Sequence, residues 1–342
     1  MGQRKKLAAL AALFLALGFA SVSASADPVR LRIGWAQVPT QITPLVAELA
    51  KRHPEIFPNL GRTYTYEPER FQGSPPQIQA LATDELEVAA FGPSALALGV
   101  TNAHLDLKII ADVAQDGGEG HYSTWWAVRK DGPIKTLQDM KGRTAIVNAK
   151  GATTDMDLRG LLRRNGVADN DFTEIEADFA NMLPMLESGK ADTAPVMPQF
   201  NHDFVATGHY RPLFNTREAV GGADQVLFWV MKAEFIAAHR AALVDFLADH
   251  MAAVRWFANP ANREEALALT EGFTKQSREA LSYVFTDDDV YHSPDLVPRV
   301  VMVQKDIDVA VGMNLLPSRI EVVPDYVDLS LAAEAKARLA HE

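Results

Sequence analysis

The chain has 342 residues, with 44 acidic side chains, 33 basic side chains and no cysteine. The lack of cysteine excludes disulfide bonds, thiol chemistry and any zinc or iron–sulfur site that cysteine would ligate. The formal net charge of −11 repels nucleic acid and anionic lipid, so we expect neither as a partner.

The first 26 residues have the pattern of a secretory signal peptide. Three basic residues at positions 4–6 precede the apolar run Leu7–Ala20, and small residues then end in Ala24-Ser25-Ala26. The apolar run is 14 residues long, fewer than the ~20 that a membrane-spanning helix needs. We therefore predict cleavage after Ala26, export to the periplasm and a mature chain that begins at Asp27.

Beyond this segment, short apolar runs alternate with helical patterns. The predicted strands are residues 29–36, 62–68, 86–91, 107–114, 123–130, 143–149, 173–178, 193–198 and 225–232. The predicted helices begin near residues 43, 74, 95, 136, 153, 182 and 237. Residues 202–209 are predicted as a loop, and the chain beyond residue 232 as mostly helical. This alternation is typical of parallel sheets covered by helices.

Local signals predict where several helices begin and end. Thr43-Pro44 and Ser74-Pro75 each place a hydroxyl residue before proline, so we expect Thr43 to be a helix N-cap. Gly166 follows the helical pattern 153–165, where a left-handed glycine ends a helix at little cost.

Polar, small-residue turns connect several predicted strands to the helices that follow them. They are residues 37–43, 71–75, 92–94 and 151–155. In open α/β sheets, ligands bind beyond the carboxyl ends of strands, where helix N-termini present free N–H groups. We expect a ligand site where these turns meet.

At these turns the sequence resembles periplasmic substrate-binding proteins of the nitrate, sulfonate and taurine type, which have the type II binding-protein fold. The segments that carry the resemblance are RFQGSPPQIQALATDELEVAAFGPSALALG, IKTLQDMKGRTAIVNAKGATTDMDLRGLLRRNGV, LESGKADTAPVMPQF and VPDYVDLSLAAEA. Each segment is weak alone, but their order and spacing are specific, and together they span nearly the whole mature chain.

The resemblance implies two α/β lobes joined by a two-segment hinge, with the ligand cleft between them. It places the crossings near residues 111–118 and 222–228. The first lobe would be discontinuous, residues 27–115 plus 226–342, and the second would be residues 116–225. The protein would act as a monomer without a cofactor, bind a small-molecule ligand, and deliver it to an ABC transporter permease with its ATPase.

The strongest site candidate is the turn at residues 151–155. Backbone N–H groups and a threonine hydroxyl there would hold the ligand's anionic group, although ordinary helix capping by Thr153 would look the same in sequence. The carboxylate of Asp155 would repel a simple anion, so its side chain would turn away or meet a cationic or hydroxyl part of the ligand. The predicted ligand-binding residues are Gln37, Gln72, Gly73, Ser74, Gly92, Pro93, Ser94, Tyr122, Ser123, Ala152, Thr153, Thr154, Asp155, Met197, Gln199 and Gln225.

The chemistry of these turns narrows the expected ligand. Apart from Lys150 and the nearby Arg70, they contain no basic residue, which favours sulfonate, nitrate or a monocarboxylate over phosphate. Met197 stands where many proteins of the resembled type have tryptophan, which weakens a taurine-like assignment. An aromatic carboxylate or a pyrimidine- or flavin-type precursor is the alternative ligand.

An exported enzyme and a sensor or structural protein are the alternative functions. The sequence has no G-x-S-x-G, H-E-x-x-H or P-loop motif. The cluster Asp287-Asp288-Asp289 lacks the spacing of a calcium loop. One enzymatic branch of the resembled fold depends on a cysteine-rich motif, which this chain cannot have. We therefore predict no catalytic residue and no metal site.

Overall fold

The computed structural model describes residues 27–340, so the predicted signal peptide lies outside the described residues. The strands are β1 Val29–Trp35, β2 Tyr64–Arg70, β3 Ala89–Phe91, β4 Leu107–Asp116, β5 Trp125–Arg129, β6 Thr144–Val147, β7 Thr173–Glu176, β8 Ala194–Val196, β9 Tyr210–Asn215 and β10 Asp224–Lys232. The helices are α1 Thr43–Arg52, α2 Ser74–Ala82, α3 Pro93–Thr101, α4 Thr153–Arg164, α5 Phe179–Glu187, α6 Pro198–Ala206, α7 Thr216–Val220, α8 Ala233–Ala258, α9 Arg263–Thr274, α10 Val300–Gly312 and α11 Ser330–Leu339.

The first lobe is built on a mixed sheet. β1 pairs in parallel with β2, and β10 lies antiparallel between β3 and β4. A parallel bridge between Ile33 and Val88 joins these two sets in the order β2-β1-β3-β10-β4. The expectation of parallel sheets is therefore wrong for β10, which returns from the second lobe and runs against its neighbours.

The second lobe repeats the same strand order. β6 pairs in parallel with β7, and β5 lies antiparallel between β8 and β9. A parallel bridge between Ala145 and Thr193 joins them in the order β7-β6-β8-β5-β9. The chain passes between the lobes where β4 ends and β10 begins, at the paired residues Asp116 and Asp224.

Each lobe has its own apolar core, because each helix buries one face on its sheet. In the second lobe, Leu158, Leu161 and Leu162 of α4 pack inward, as their spacing predicts. The predicted helix end is also confirmed. Gly166 has a φ of +76° and donates to Arg163 O at 3.1 Å, while Val167 donates to Leu162 O at 3.0 Å. These two bonds form a Schellman motif.

Other local predictions are corrected. The N-cap of α1 is Ile42, and Thr43 lies inside the first turn. The predicted loop at 202–209 contains most of α6, whose buried Phe204 anchors it, while β9 and α7 follow and had no predicted counterpart. The chain between α9 and α10 is irregular rather than helical. None of the helices within residues 27–340 is long and apolar enough to span a membrane.

Candidate functional site

A cavity of about 70 Å³ lies between the lobes, beside the carboxyl end of β1 and the first turns of α2 and α4. Both lobes contribute to its walls, which combine neutral polar side chains with apolar ones such as Phe179, Met197 and Leu227, and most of the surface that faces the cavity is apolar. The volume is roughly half of the 150 Å³ in which an engineered protein cavity holds benzene. In this arrangement of the lobes, the cavity therefore suits a small ligand or the polar end of a larger one.

Seven of the sixteen sequence-predicted site residues line this cavity. Those from the first lobe follow β1 or open α2, and those from the second open α4 or precede α6. They are Gln37, Gly73, Ser74, Ala152, Thr153, Thr154 and Met197. The strand-end turns 37–43, 71–75 and 151–155 thus meet at one place.

Three other predicted residues bind the opposite lobe at the edges of the cavity. Gln72 Nε2 donates to Asn148 O at 2.6 Å, and Ser94 Oγ donates to Gly151 O at 2.7 Å. Gln199 Nε2 donates to Gln37 Oε1 at 3.2 Å, and Gln199 Oε1 accepts from Thr40 Oγ1 at 3.3 Å. These bonds hold the lobes together across the cleft.

The remaining predicted residues lie away from the cavity lining. Gly92 and Pro93 open α3 behind it. Tyr122 Oη donates to Val196 O at 3.0 Å, and Ser123 Oγ accepts from the Arg217 N–H at 3.2 Å, so both are engaged within the second lobe.

Two further predicted residues are buried and engaged away from the cavity. Gln225 Nε2 donates to Asp112 Oδ1 at 2.7 Å, where the start of β10 pairs with the end of β4. Asp155 turns away from the cavity. Its Oδ2 accepts from the Gly151 N–H at 2.6 Å and lies 3.6 Å from Arg159 Nη1. This is one of the two outcomes expected for Asp155.

Sequence reasoning missed seven polar residues of the cavity wall. They are Thr40, Gln41, Gln77, Thr124, Asn148, Asp157 and Thr216. Asn148 lies at the end of a predicted strand, so its position could have identified it. Gln77 and Asp157 lie one turn inside helices, and Thr216 opens α7, which had no predicted counterpart.

Several of these side chains shape the cavity wall. Gln77 Oε1 accepts from the Ala90 N–H at 2.8 Å, and its Nε2 donates to Gly73 O at 3.1 Å. Thr124 donates to Asp116 Oδ2 through both its N–H and its hydroxyl, at 2.9 and 2.7 Å. These bonds fix the backbone around the cavity and leave few free donors.

The start of α4 offers one free hydroxyl to the cavity. The N-cap is Ala152, with no side-chain cap, so Thr153 does not cap the helix. Thr154 Oγ1 donates to Asn148 Oδ1 at 2.6 Å. Thr153 Oγ1 makes no hydrogen bond with the described residues, so its hydroxyl, beside the positive end of the helix, is the available donor.

We therefore expect the substitutions Thr153→Ala and Thr154→Ala to have different effects. Thr153→Ala should weaken binding of an anionic ligand about 10- to 150-fold if the hydroxyl meets a charged group. Thr154→Ala should instead lower the free energy of unfolding by about 1 kcal/mol, because Asn148 Oδ1 loses the hydroxyl that donates to it. Calorimetry and urea unfolding of both variants measure the two quantities. Unchanged affinity in both variants would contradict an anion site here.

Asp157 is the one ionisable side chain among the described residues of the cavity wall. It is 8% exposed, and its Oδ2 accepts from Thr216 Oγ1 at 3.1 Å. Burial, followed by the nearby carboxylates of Asp224 and Asp116, holds the pKa of Asp157 well above its ordinary value. In residues 27–340, no group of three or more His, Asp or Glu side chains is placed to hold a metal ion.

The profile of the NMT1-like family matches residues 24–271, which is more than half of the sequence. The chain belongs to the NMT1-like family. Among curated proteins, no sequence matches it.

Solved structures share the fold of this NMT1-like chain at low sequence identity. One is the alkanesulfonate-binding protein SsuA from Xanthomonas axonopodis pv. citri, bound to MOPS, which is 18% identical with a TM-score of 0.67. The match covers 88% of this chain and 99% of the SsuA chain. The periplasmic nitrate-binding protein NrtA from Synechocystis PCC 6803 is 14% identical with a TM-score of 0.68, covering 92% and 90%. The desulfurization enzyme DszB is 13% identical with a TM-score of 0.63, covering 91% and 99%. These likenesses confirm the predicted two-lobed α/β binding-protein fold.

Proposed function

We propose that this protein is the solute-binding component of an ABC importer and captures a small anionic organic solute in the cavity between its lobes. The observation that carries the proposal is that cavity, lined by polar and apolar side chains of both lobes, with the start of α4 at its wall. SsuA and NrtA, which have the same fold, are binding proteins for alkanesulfonate and nitrate.

The chemistry of the cavity wall supports a small oxyanion. Lysine and arginine are absent from the described residues of the lining, so an anion is held by neutral donors and the N-terminus of α4. Sulfonate, nitrate and short carboxylates suit such donors. An aromatic carboxylate or a pyrimidine- or flavin-type ligand needs more room than about 70 Å³ and therefore a more open cleft.

Lobe closure on the ligand would be the transport signal. In this proposal, residues 27–115 and 226–342 move as one body against residues 116–225, about the ends of β4 and β10. The closed form docks as a monomer on a membrane permease, which acts with its ATPase. The hydrogen bonds from Gln72, Ser94 and Gln199 to the opposite lobe would then be bonds of the closed form.

Native mass spectrometry of the purified protein tests the proposed function. We expect a co-purified solute of low mass whose re-addition to the stripped protein raises the free energy of unfolding by about 2.7 kcal/mol at a hundredfold excess over Kd. An enzyme, as DszB is, would convert the solute during incubation. A protein that neither retains a solute nor gains stability from any candidate anion would refute the proposal.

Export is part of the same proposal. We expect the protein recovered from the periplasm of its host to begin at Asp27, because an A-x-A site ends at Ala26. The intact mass of that protein shows at which residue it begins. A mass that includes residues 1–26 would contradict periplasmic release by cleavage.

A further inference from the structure

A second cavity, of about 40 Å³, lies beside the cleft cavity and shares Thr153 and Asp157 with it. Its first-lobe side is formed by α3 and α10, and its second-lobe side by α4 and α7. Asp224, the first residue of β10, lies at the hinge between these helices. Because both lobes form the walls, separation of the lobes admits water to this cavity.

Two carboxyl groups face each other in this second cavity. Asp224 and Asp306 of α10 both line it, and their carboxyl groups lie within hydrogen-bonding reach of each other. Asp224 is 1% exposed, and none of the described residues donates a hydrogen bond to its Oδ1 or to the buried Oδ2 of Asp306. Two ionised carboxylates repel each other strongly in a buried site, whereas a protonated carboxyl group donates a hydrogen bond to an ionised one.

Two basic side chains lie near this pair but are engaged by backbone carbonyls. Arg164 Nη2 of α4 donates to Ala219 O, and Lys305 Nζ of α10 donates to Val220 O at 2.8 Å. Both carbonyls lie at the end of α7, where a helix presents its unpaired carbonyl oxygens. The two facing carboxyl groups therefore have no direct ion pair with a described basic side chain.

The remaining surroundings of the pair contain more acidic than basic groups. The charged or titratable groups that face it are Asp116 of β4, Asp157 and Arg164 of α4, and Lys305 of α10. α3 has no ionisable side chain. On α7, Arg217 Nη1 donates to Gly117 O at 2.6 Å, and Glu218 Oε2 accepts from the Asn215 N–H at 3.0 Å. The excess of carboxyl groups favours a bound proton over two ionised carboxylates.

Burial and the neighbouring carboxyl groups act on the pair in the same direction. Burial, followed by the carboxyl groups of Asp306 and Asp116, holds the pKa of Asp224 well above its ordinary value, and burial also raises the pKa of Asp306. When the lobes separate, water reaches both groups, and each pKa returns toward the ordinary aspartate value of about 3.9. The closed form therefore binds more protons than the open form between the ordinary pKa and the raised one.

We propose that Asp224 and Asp306 share one proton in the closed form and release it to water when the lobes separate, so that closure on a ligand is coupled to uptake of a proton. This inference rests on the proposed function, because it needs the movement of the lobes about the ends of β4 and β10. Since the closed form holds the extra proton, a lower pH favours closure. The affinity for a ligand should therefore fall as the pH rises from the ordinary pKa of aspartate through the raised one.

Calorimetry with nitrate and ethanesulfonate at about pH 5.5 and 7.5 tests the inference, since both anions keep their charge over this range and both pH values exceed the ordinary pKa of aspartate. The proteins are the wild type, Asp224→Asn and the exposed control Asp131→Asn. We expect a probe that binds the wild type to bind roughly 4- to 100-fold more tightly at the lower pH. Asp224→Asn should abolish this ratio, because its amide N–H donates to Asp306 without a titrating proton. Asp131→Asn should preserve it.

The asparagine variant also separates the pair from Asp157, whose protonation would give an anion the same pH dependence. A ratio that persists in Asp224→Asn, or equal affinity of the wild type at both pH values, would overturn the inference. Asp306→Asn supplies the amide donor from the other side of the pair and replaces Asp224→Asn if that variant does not fold.

If neither probe binds, small-angle scattering of the ligand-free protein at the same two pH values decides. A radius of gyration that is smaller at the lower pH in the wild type, but unchanged by pH in the variant, supports the inference. An equal radius at both pH values in the wild type overturns it. The proposed function is tested separately by the co-purified solute, so solute binding without pH dependence overturns the proton coupling alone.

Discussion

Replacing Trp229 with alanine is expected to lower the free energy of unfolding by about 3–5 kcal/mol. Trp229 lies on β10, the strand that returns from the second lobe, and is 1% exposed. Its ring stacks on Phe246 with centroids 5.3 Å apart and lies 4.4 Å from the ring of His250, both on α8. Truncation leaves a cavity between β10 and α8 that the surrounding side chains cannot fill.

Urea unfolding of the variant, monitored by circular dichroism, measures this loss. Trp229→Phe keeps an aromatic ring and should lose less, which provides a graded result if the alanine variant does not fold. Val301→Ala, at a side chain that is 75% exposed, is the control and should change stability by no more than about 0.5 kcal/mol. A loss below about 2 kcal/mol for Trp229→Ala would show that the β10–α8 contact contributes less than its burial indicates.

Most of the fold was predictable because its elements carry local signals. The apolar alternation of β1, the apolar face of α4 and the glycine that ends α4 each depend on residues adjacent in sequence. The direction of β10 was not predictable in this way, because antiparallel pairing with β3 and β4 is decided by the route of the chain between lobes. α7 was missed because it is only five residues long, and β9 because Pro212 interrupts its short apolar pattern.

The candidate site was predictable only in part, for a different reason. A strand-end turn can be recognised from Gly, Ser and Thr residues, and two residues singled out in this way, Ser74 and Thr153, line one cavity. Whether such a side chain faces ligand or the other lobe depends on how the lobes meet. Gln72 and Ser94 reach across the cleft to backbone carbonyls, and Asp157 rather than Asp155 faces the cavity. A helix rotates by about 100° per residue, so residues two positions apart, such as Asp155 and Asp157, point to nearly opposite sides of α4.

Two glycines of the first lobe, Gly73 and Gly92, face side chains of the second lobe across the cleft. A Cβ atom added at Gly73 would come 2.5 Å from Asn148 Nδ2. One added at Gly92 would overlap Thr153 Oγ1 and come 3.2 Å from Val226 O. Both glycines have extended backbone, with φ values of 179° and −87°, that alanine can also adopt. The strain therefore arises mainly where the lobes meet and is relieved when they separate.

We expect the double variant Gly73→Ala/Gly92→Ala to fold normally but bind the co-purified solute at least about tenfold more weakly. Overpacking costs about 1–3 kcal/mol, and here most of that cost falls on the closed form, because Asn148 and Thr153 belong to the second lobe, so it lowers the binding-competent fraction. Calorimetry measures the affinity, and small-angle scattering measures whether solute still shrinks the radius of gyration. Gly272→Ala, whose added Cβ meets no atom within 4 Å, is the matched control and should bind as the wild type does. Wild-type affinity and compaction in the double variant would mean that the ligand-bound protein does not bring these surfaces together.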